Sequence, residues 1–254
     1  MTIEVTGTAG EGYGVSQPTT FQLSVATLTA GSPVVTGDLV IVTGVAEGGS
    51  TLVNDTAGWT EAGTQLVTRA PYGNLCRFYV WYIVATHDWD ATSVTGYRVQ
   101  FTSSDTAMTK KFIGHHITTT ESWGGDAVTA AMGSDTTPDY PSPGFPPTYY
   151  IDGLTLSAFD DALLRVACCN DNGDEGTFDT GQSFTGHTRL MILTGQELGM
   201  ISLEKDTVAA GAVAAQVLDT ISVEGGEVDG IGFANITLRE GGGSSSNMML
   251  LGVG

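Results

Sequence analysis

Positive charge is what this chain has least of. Nine lysines and arginines stand against 28 aspartates and glutamates, a formal net charge of −19. Nucleic-acid binding depends on clustered Lys and Arg and on the counterions they release, so this balance argues against such a partner. An acidic surface keeps a protein soluble and repels other polyanions, but it names no ligand. Cysteine is sparse as well. Cys76, Cys168 and Cys169 form an odd set with two members adjacent, which does not suit a disulfide-stapled scaffold. They lie in apolar, strand-like runs where neighbouring side chains point to opposite faces, so they read as packing residues rather than ligands of one metal ion.

Long apolar runs are missing too. None approaches the roughly 20 residues that cross a bilayer, and no membrane insertion is expected. The opening MTIEVTGTAGEGYG has neither a basic leader nor an apolar signal core, so synthesis in the host cytoplasm is expected. Export by lysis of a cell needs no signal peptide. Catalytic groups are scarce: the four histidines are His87, His115, His116 and His187, and none sits in a nucleophile motif. His115 and His116 fall in one strand-like run, so their rings should diverge. No enzyme is expected, although a depolymerase or other hydrolase is a third class to test.

What is present is β-sheet texture. Runs rich in β-branched and aromatic residues, punctuated by Gly and Asp, favour extended chain. Strands are expected near 3–8, 21–28, 39–45, 75–85, 94–101, 112–119, 162–169, 189–194, 200–204 and 231–238. In GYRVQF, Tyr97, Val99 and Phe101 share one face, the alternation of a half-buried antiparallel strand. The alanine-rich 208–217 lies in β surroundings and reads as strand rather than helix. The expectation is an all-β, antiparallel two-sheet sandwich with little helix, one domain over residues 1–240. A Pro-rich excursion over 133–148, with most of the eight prolines, should leave the sheets. Internal repetition is not evident, though GDLVIVTGV and DALLRVACC are both Asp-led apolar runs, as two equivalent strands in facing sheets would be.

Residues 241–254 are a Gly/Ser linker leading to an apolar segment. Met248, Met249, Leu250 and Leu251 either fold back as a last strand or anchor the chain on a neighbour by strand addition. Two further features invite ligands. The loop NDNGDEGTFD offers hard oxygens, among them Asp171, Asp174, Glu175 and Asp179, suited to calcium, yet its spacing departs from an EF-hand and also fits a solvated turn. Trp89, Trp123, Tyr140, Phe145, Tyr149 and Tyr150 lie in or near loops, where aromatic faces can stack on sugars or simply fill the core.

The order GDLVIVTGVAEGG, AGWTEAGTQ, RFYVWYIVAT and GYRVQFTSS resembles a jelly-roll sandwich module of bacteriophage and prophage structural proteins. The likeness covers roughly residues 30 to 120, with the remainder alike only in texture. Gly37, Asp38, Gly58, Trp59, Trp81 and Tyr82 match as fold markers, not as a site. The resemblance implies a component of the virion surface: a head decoration protein, a capsid fibre, or a tail-fibre or adhesin module. Its partners would be other virion proteins, further copies of itself and, in the adhesin case, a host-surface glycan.

Overall fold

The structure is a computed structural model that describes residues 3–13, 20–24, 33–55, 57–70, 73–89, 98–104, 108–137, 148–157, 162–170, 176–195, 198–205, 208–222 and 228–241. The first half of the chain contributes β1 (Glu4–Tyr13), β2 (Thr20–Ser24), β3 (Leu39–Glu47), β4 (Leu52–Asn54), β5 (Thr60–Arg69), β6 (Gly73–Val84), β7 (Arg98–Ser103) and β8 (Lys110–Thr118). The second contributes β9 (Trp123–Asp135), β10 (Thr148–Ile151), β11 (Leu154–Leu156), β12 (Ala162–Asn170) and β13 (Gly176–Phe178). It continues with β14 (His187–Leu193), β15 (Leu198–Lys205), β16 (Gly211–Val213), β17 (Gln216–Ser222) and β18 (Gly230–Glu240). All pairings among the described residues are antiparallel.

The two halves are threaded alike. One five-stranded sheet has the order β1-β8-β3-β6-β5, the other β9-β18-β12-β15-β14. Two three-stranded sheets follow suit, β2-β7-β4 and β10-β17-β13. Each strand of the first half thus has a counterpart in the second, and only β11 and β16, paired with each other, are extra. A β-bulge fixes the correspondence residue by residue. In β5 it falls between Glu61, opposite Trp81, and Gly63, opposite Val80. In β14 it falls between Arg189, opposite Leu203, and Met191, opposite Ser202. Trp81 therefore corresponds to Leu203, and their ladder partners Val42 and Gly114 correspond to Arg165 and Asn235. The all-β sandwich expected from the sequence is present, its two five-stranded sheets like-threaded and packed against each other through one core. The resemblance between GDLVIVTGV and DALLRVACC is the visible trace of that like threading.

Packing explains why the central strands read as continuous apolar runs. A strand covered on both faces has no solvent side to make polar, so β3 and β12 are buried along nearly their whole length. Leu39, Ile41, Phe78, Val80 and Ile113 of one five-stranded sheet meet Leu164, Val166, Met200 and Ile236 of the other in the central core. On the outer side, Val40, Val42, Tyr79, Trp81 and Phe112 pack with Val34 and Leu52 beneath β2-β7-β4. The corresponding outer core holds Tyr149, Phe178, Ile201, Leu218 and Phe233. Leu156, Leu163 and Val213 form a small fourth cluster under β11 and β16.

Three polar or thiol contacts bind the halves together. Lys111 Nζ donates to Thr194 O at 2.7 Å and also to Gly195 O, and Arg69 meets Asp229 Oδ1 at 3.1 Å. Cys76 Sγ lies 3.8 Å from Cys168 Sγ across the central core, and all three cysteines are buried and outside any disulfide. Cys168 and Cys169 do face opposite cores. Strand β3 is entered through Gly37, whose φ of 98° excludes a side chain at little cost only for glycine. Within 208–217, residues 211–213 form β16 and 216–217 begin β17, while 208–210 and 214–215 are not in strands. The excursion expected over 133–148 is narrower than that, since β9 runs on to Asp135 and β10 begins at Thr148; residues 138–147 lie outside the described ones.

Candidate functional site

The four described members of the expected aromatic set do not come together. Trp89 is 8% exposed and joins the first outer core, and Tyr149 is fully buried with its hydroxyl donated to Val228 O. Both are corrected to core residues, because loop-adjacent position did not prevent their rings from filling apolar space. Trp123 is half-buried against the central core at the start of β9. Tyr150 is half-buried beyond the other end of that strand, its backbone N bonded to Asp135 Oδ2 at 3.0 Å. A strand of this length separates them by about 40 Å, too far for one sugar residue to bridge. Tyr140, Phe145, Asp171, Asp174, Glu175, Met248, Met249, Leu250 and Leu251 lie outside the described residues. Asp179, the remaining member of the calcium loop, is half-buried and accepts from Gly181 N at 2.7 Å, a turn contact.

The paired histidines diverge as expected. His115 faces the central core, fully buried, and neither ring nitrogen has a hydrogen-bond partner. Burial pushes its pKa down to about 3, so it is neutral near pH 7. His116 faces the other way. Its Nε2 lies 2.7 Å from Asp38 Oδ2, and its Nδ1 3.1 Å from Thr6 Oγ1. Hydroxyl, imidazole and carboxylate thus stand in the order of a hydrolytic triad. Their partners point to another use. Asp38 Oδ2 also accepts from Val35 N at 2.9 Å, and Thr6 sits in the bulge of β1 with its hydroxyl near the His116 carbonyl. The row latches β1, β8 and the turn before β3 to one another. Asp38, matched in the sequence as a fold marker, is its anchor.

Among the described residues, a cavity of about 410 Å³ lies on the second half. Gln182, Thr185, His187, Lys205, Ala214 and Gln216 line it, with the chain between Ala212 and Val217 forming one wall. That wall belongs to the addition that the first half lacks, strand β16 and its link to β17. The addition is held from below by two buried polar side chains. Arg165 Nη2 donates to Ala214 O at 3.0 Å, and Asn235 Nδ2 donates to Asp152 O at 3.2 Å. They are neighbours across the β12–β18 ladder. Val42 and Gly114 occupy the corresponding places in the first half, where nothing needs anchoring. Gly153 allows the close approach, since a Cβ there would come within 2.7 Å of Val213 O. Burial lowers the Arg165 guanidinium to about 10, so it stays charged at neutral pH.

The polar groups around the cavity are ordered. Gln182 Nε2 donates to Val217 O at 2.7 Å while its Oε1 accepts from Asp219 N at 2.9 Å. His187 Nδ1 lies 3.0 Å from Thr185 O, which places the proton on Nδ1. Lys205 Nζ donates to Gly186 O at 3.3 Å. Among the described residues, no aspartate or glutamate lines the cavity. Asp219 lies behind Gln182, its carboxyl pushed upward by burial and by the nearby Asp179 charge. Reading the sequence did not single out these residues. One signal was there: an arginine in the middle of ALLRVACC, a charged residue inside an otherwise apolar, doubly buried strand.

No protein-family model, no curated protein and no solved structure matches the chain.

Proposed function

We propose that this chain is a non-enzymatic structural protein of a bacteriophage virion surface, a head decoration or capsid-fibre protein or a tail-associated one. In this reading it self-associates and is anchored through its terminal segment. The observation that carries the reading is the strand order, β1-β8-β3-β6 in one sheet against β2-β7-β4 in another, repeated in the second half. This order supports a jelly-roll reading, an architecture used by viral capsid domains and by lectins, with β5 added to the five-stranded sheet beyond β6. Use of the titratable groups as structural ties, in the Thr6–His116–Asp38 latch and the Lys111 and Arg69 bridges, is consistent with a non-catalytic role. Removing residues 241–254 tests the anchor. The truncated protein is expected to keep its β-sheet circular dichroism and to be lost from purified particles; undiminished incorporation overturns the anchoring.

A second reading is a carbohydrate-binding adhesin module, with or without calcium. The cavity of the second half favours it, rather than the aromatics first considered for that role. A glycan array probed with and without chelator separates the two readings, because a purely structural component gives no specific spots.

A further inference from the structure

We propose that the cavity beside β16 binds the carboxylate-bearing terminal sugar of an acidic glycan, with Lys205 taking the carboxylate. This rests on the carbohydrate-binding reading and gives it a place and a ligand class.

Charge is the first argument. A chain of net charge −19 repels anions over most of its surface, yet the described residues that line this cavity include no carboxylate. It has instead one of only three lysines. Lys110 and Lys111 are buried, so Lys205 is the one lysine whose ammonium stands at a surface opening. Its hydrogen bond to Gly186 O is long at 3.3 Å and uses one of three donors. A carboxylate brought to the cavity would replace a long bond to a neutral carbonyl by one in which donor and acceptor are both charged.

The remaining lining defines what the carboxylate is attached to. Ser183, Thr185 and Gln216 supply hydroxyl and amide groups that both donate and accept, as sugar hydroxyls require. Ala212, Ala214 and Ala215 supply small methyl surfaces against which the C–H face of a pyranose fits without an aromatic ring. A bare oxyanion such as sulfate would have no use for that wall. About 410 Å³ lies at the lower end of ligand-pocket volumes, enough for one sugar residue but not for a chain of them. The occupant is accordingly a terminal residue, its linkage directed to solvent.

The repeat supplies the third argument. Residue by residue, the cavity comes from departures from the first half: Lys205 where that half has Ile83, Arg165 for Val42, Asn235 for Gly114, and the added β11 and β16. Arg165 is fully buried, with its Nε and Nη1 lacking partners, a disadvantage to stability that its first-half counterpart avoids. Its single bond to Ala214 O fixes the wall facing Lys205, so the cavity is shaped before any ligand arrives.

The test is a titration of the full chain, labelled with nitrogen-15, with glucuronic acid, N-acetylneuraminic acid, glucose and sulfate. Saturable shifts confined to amides of 185–187 and 212–217 are expected with at least one acidic sugar, with affinity at least about tenfold above that for glucose and falling with salt. Lys205→Met should reduce that affinity at least about tenfold at an unchanged thermal midpoint, and Lys205→Arg should retain it. Equal binding of glucose and glucuronic acid, reproduction of the shifts by sulfate alone, or undiminished binding by Lys205→Met overturns the proposal. If sugars shift only amides near Trp123 or Tyr150, this site fails and the carbohydrate-binding reading survives. If no sugar binds anywhere, both fail.

Discussion

The two halves of this molecule share a thread and differ in what they bury. In the first, the face under the outer sheet is apolar: Tyr79 and Trp81 stack at 5.0 Å, Phe112 lies over Gly44, and Val42 of the central strand β3 packs in the same cluster. In the second, the same ladder positions hold Arg165 and Asn235, and a further pair of strands is tied to them. The comparison teaches that one backbone plan serves as a sealed wall when its inner face is hydrocarbon and as a platform when two of its positions become polar. The reverse exchange occurs in the central core. There His115 of the first half stands where the second has Ile236, with no structure built upon it. A buried polar group anchoring a cavity wall and one anchoring nothing should answer differently to removal.

The largest effect tests whether the halves are one cooperative body. Phe78 is fully buried in the core between the two five-stranded sheets, so Phe78→Ala removes apolar contacts from both halves at once. A loss of about 3–5 kcal/mol is expected, the usual range for truncating a buried Phe. Urea unfolding followed by tryptophan fluorescence and by circular dichroism should show one coincident transition, moved to lower denaturant. Two separated transitions, with only one of them moved, would break the description of a shared core.

An intermediate effect of opposite sign is expected at His115. Replacing it by its counterpart, His115→Ile, removes two buried nitrogens that lack partners and should stabilise by about 1–2 kcal/mol at pH 7. The gain should grow in acid. An unfolded imidazole takes up its proton near pH 6.5, whereas the folded one does not until about 3. Between those values the unfolded chain binds more protons, so this residue makes stability fall as pH falls, by up to about 1.4 kcal/mol per pH unit. The carboxylates contribute slopes of their own, and the difference between wild type and His115→Ile isolates the imidazole. Parallel stability curves for the two proteins between pH 6.5 and 4 would refute its neutral burial.

How much of this was legible beforehand depended on whether a feature was local. The all-β class was written in short runs of β-branched and aromatic residues, and so was the burial of Phe78 and Trp81. The opposite facing of His115 and His116 follows from the period of a strand. The repeat was nearly invisible, because counterparts such as Trp81 and Leu203, or Val80 and Ser202, share a ladder position without sharing chemistry. What they conserve is a bulge, and a bulge has no reliable letter of its own. Trp89 and Tyr149 were misjudged because nearness to a loop says nothing about which core closes over a ring. The cavity depends on residues as distant as Arg165 and Ala214, or Gln182 and Gln216, and no short motif spans such separations.

The smallest change in global stability, and the most informative about the cavity, is expected from Arg165→Val, which restores the first half's residue. Removing a buried guanidinium with two partnerless nitrogens is favourable, while losing its bond to Ala214 O and part of its packing is not. The two should offset to within about 1 kcal/mol. The local consequence should be larger, because β16 is three residues long and pairs only with the equally short β11. Without the guanidinium beneath it, hydrogen exchange at amides of 211–217 should quicken about tenfold or more, while β3 and β12 keep their protection. Unchanged exchange there would mean that the hydrophobic contact of Val213 with Leu156 and Leu163 holds the wall by itself. Arg165 would then be a mere irregularity of the repeat, and the contrast between an apolar half and one that carries a cavity would lose its physical cause.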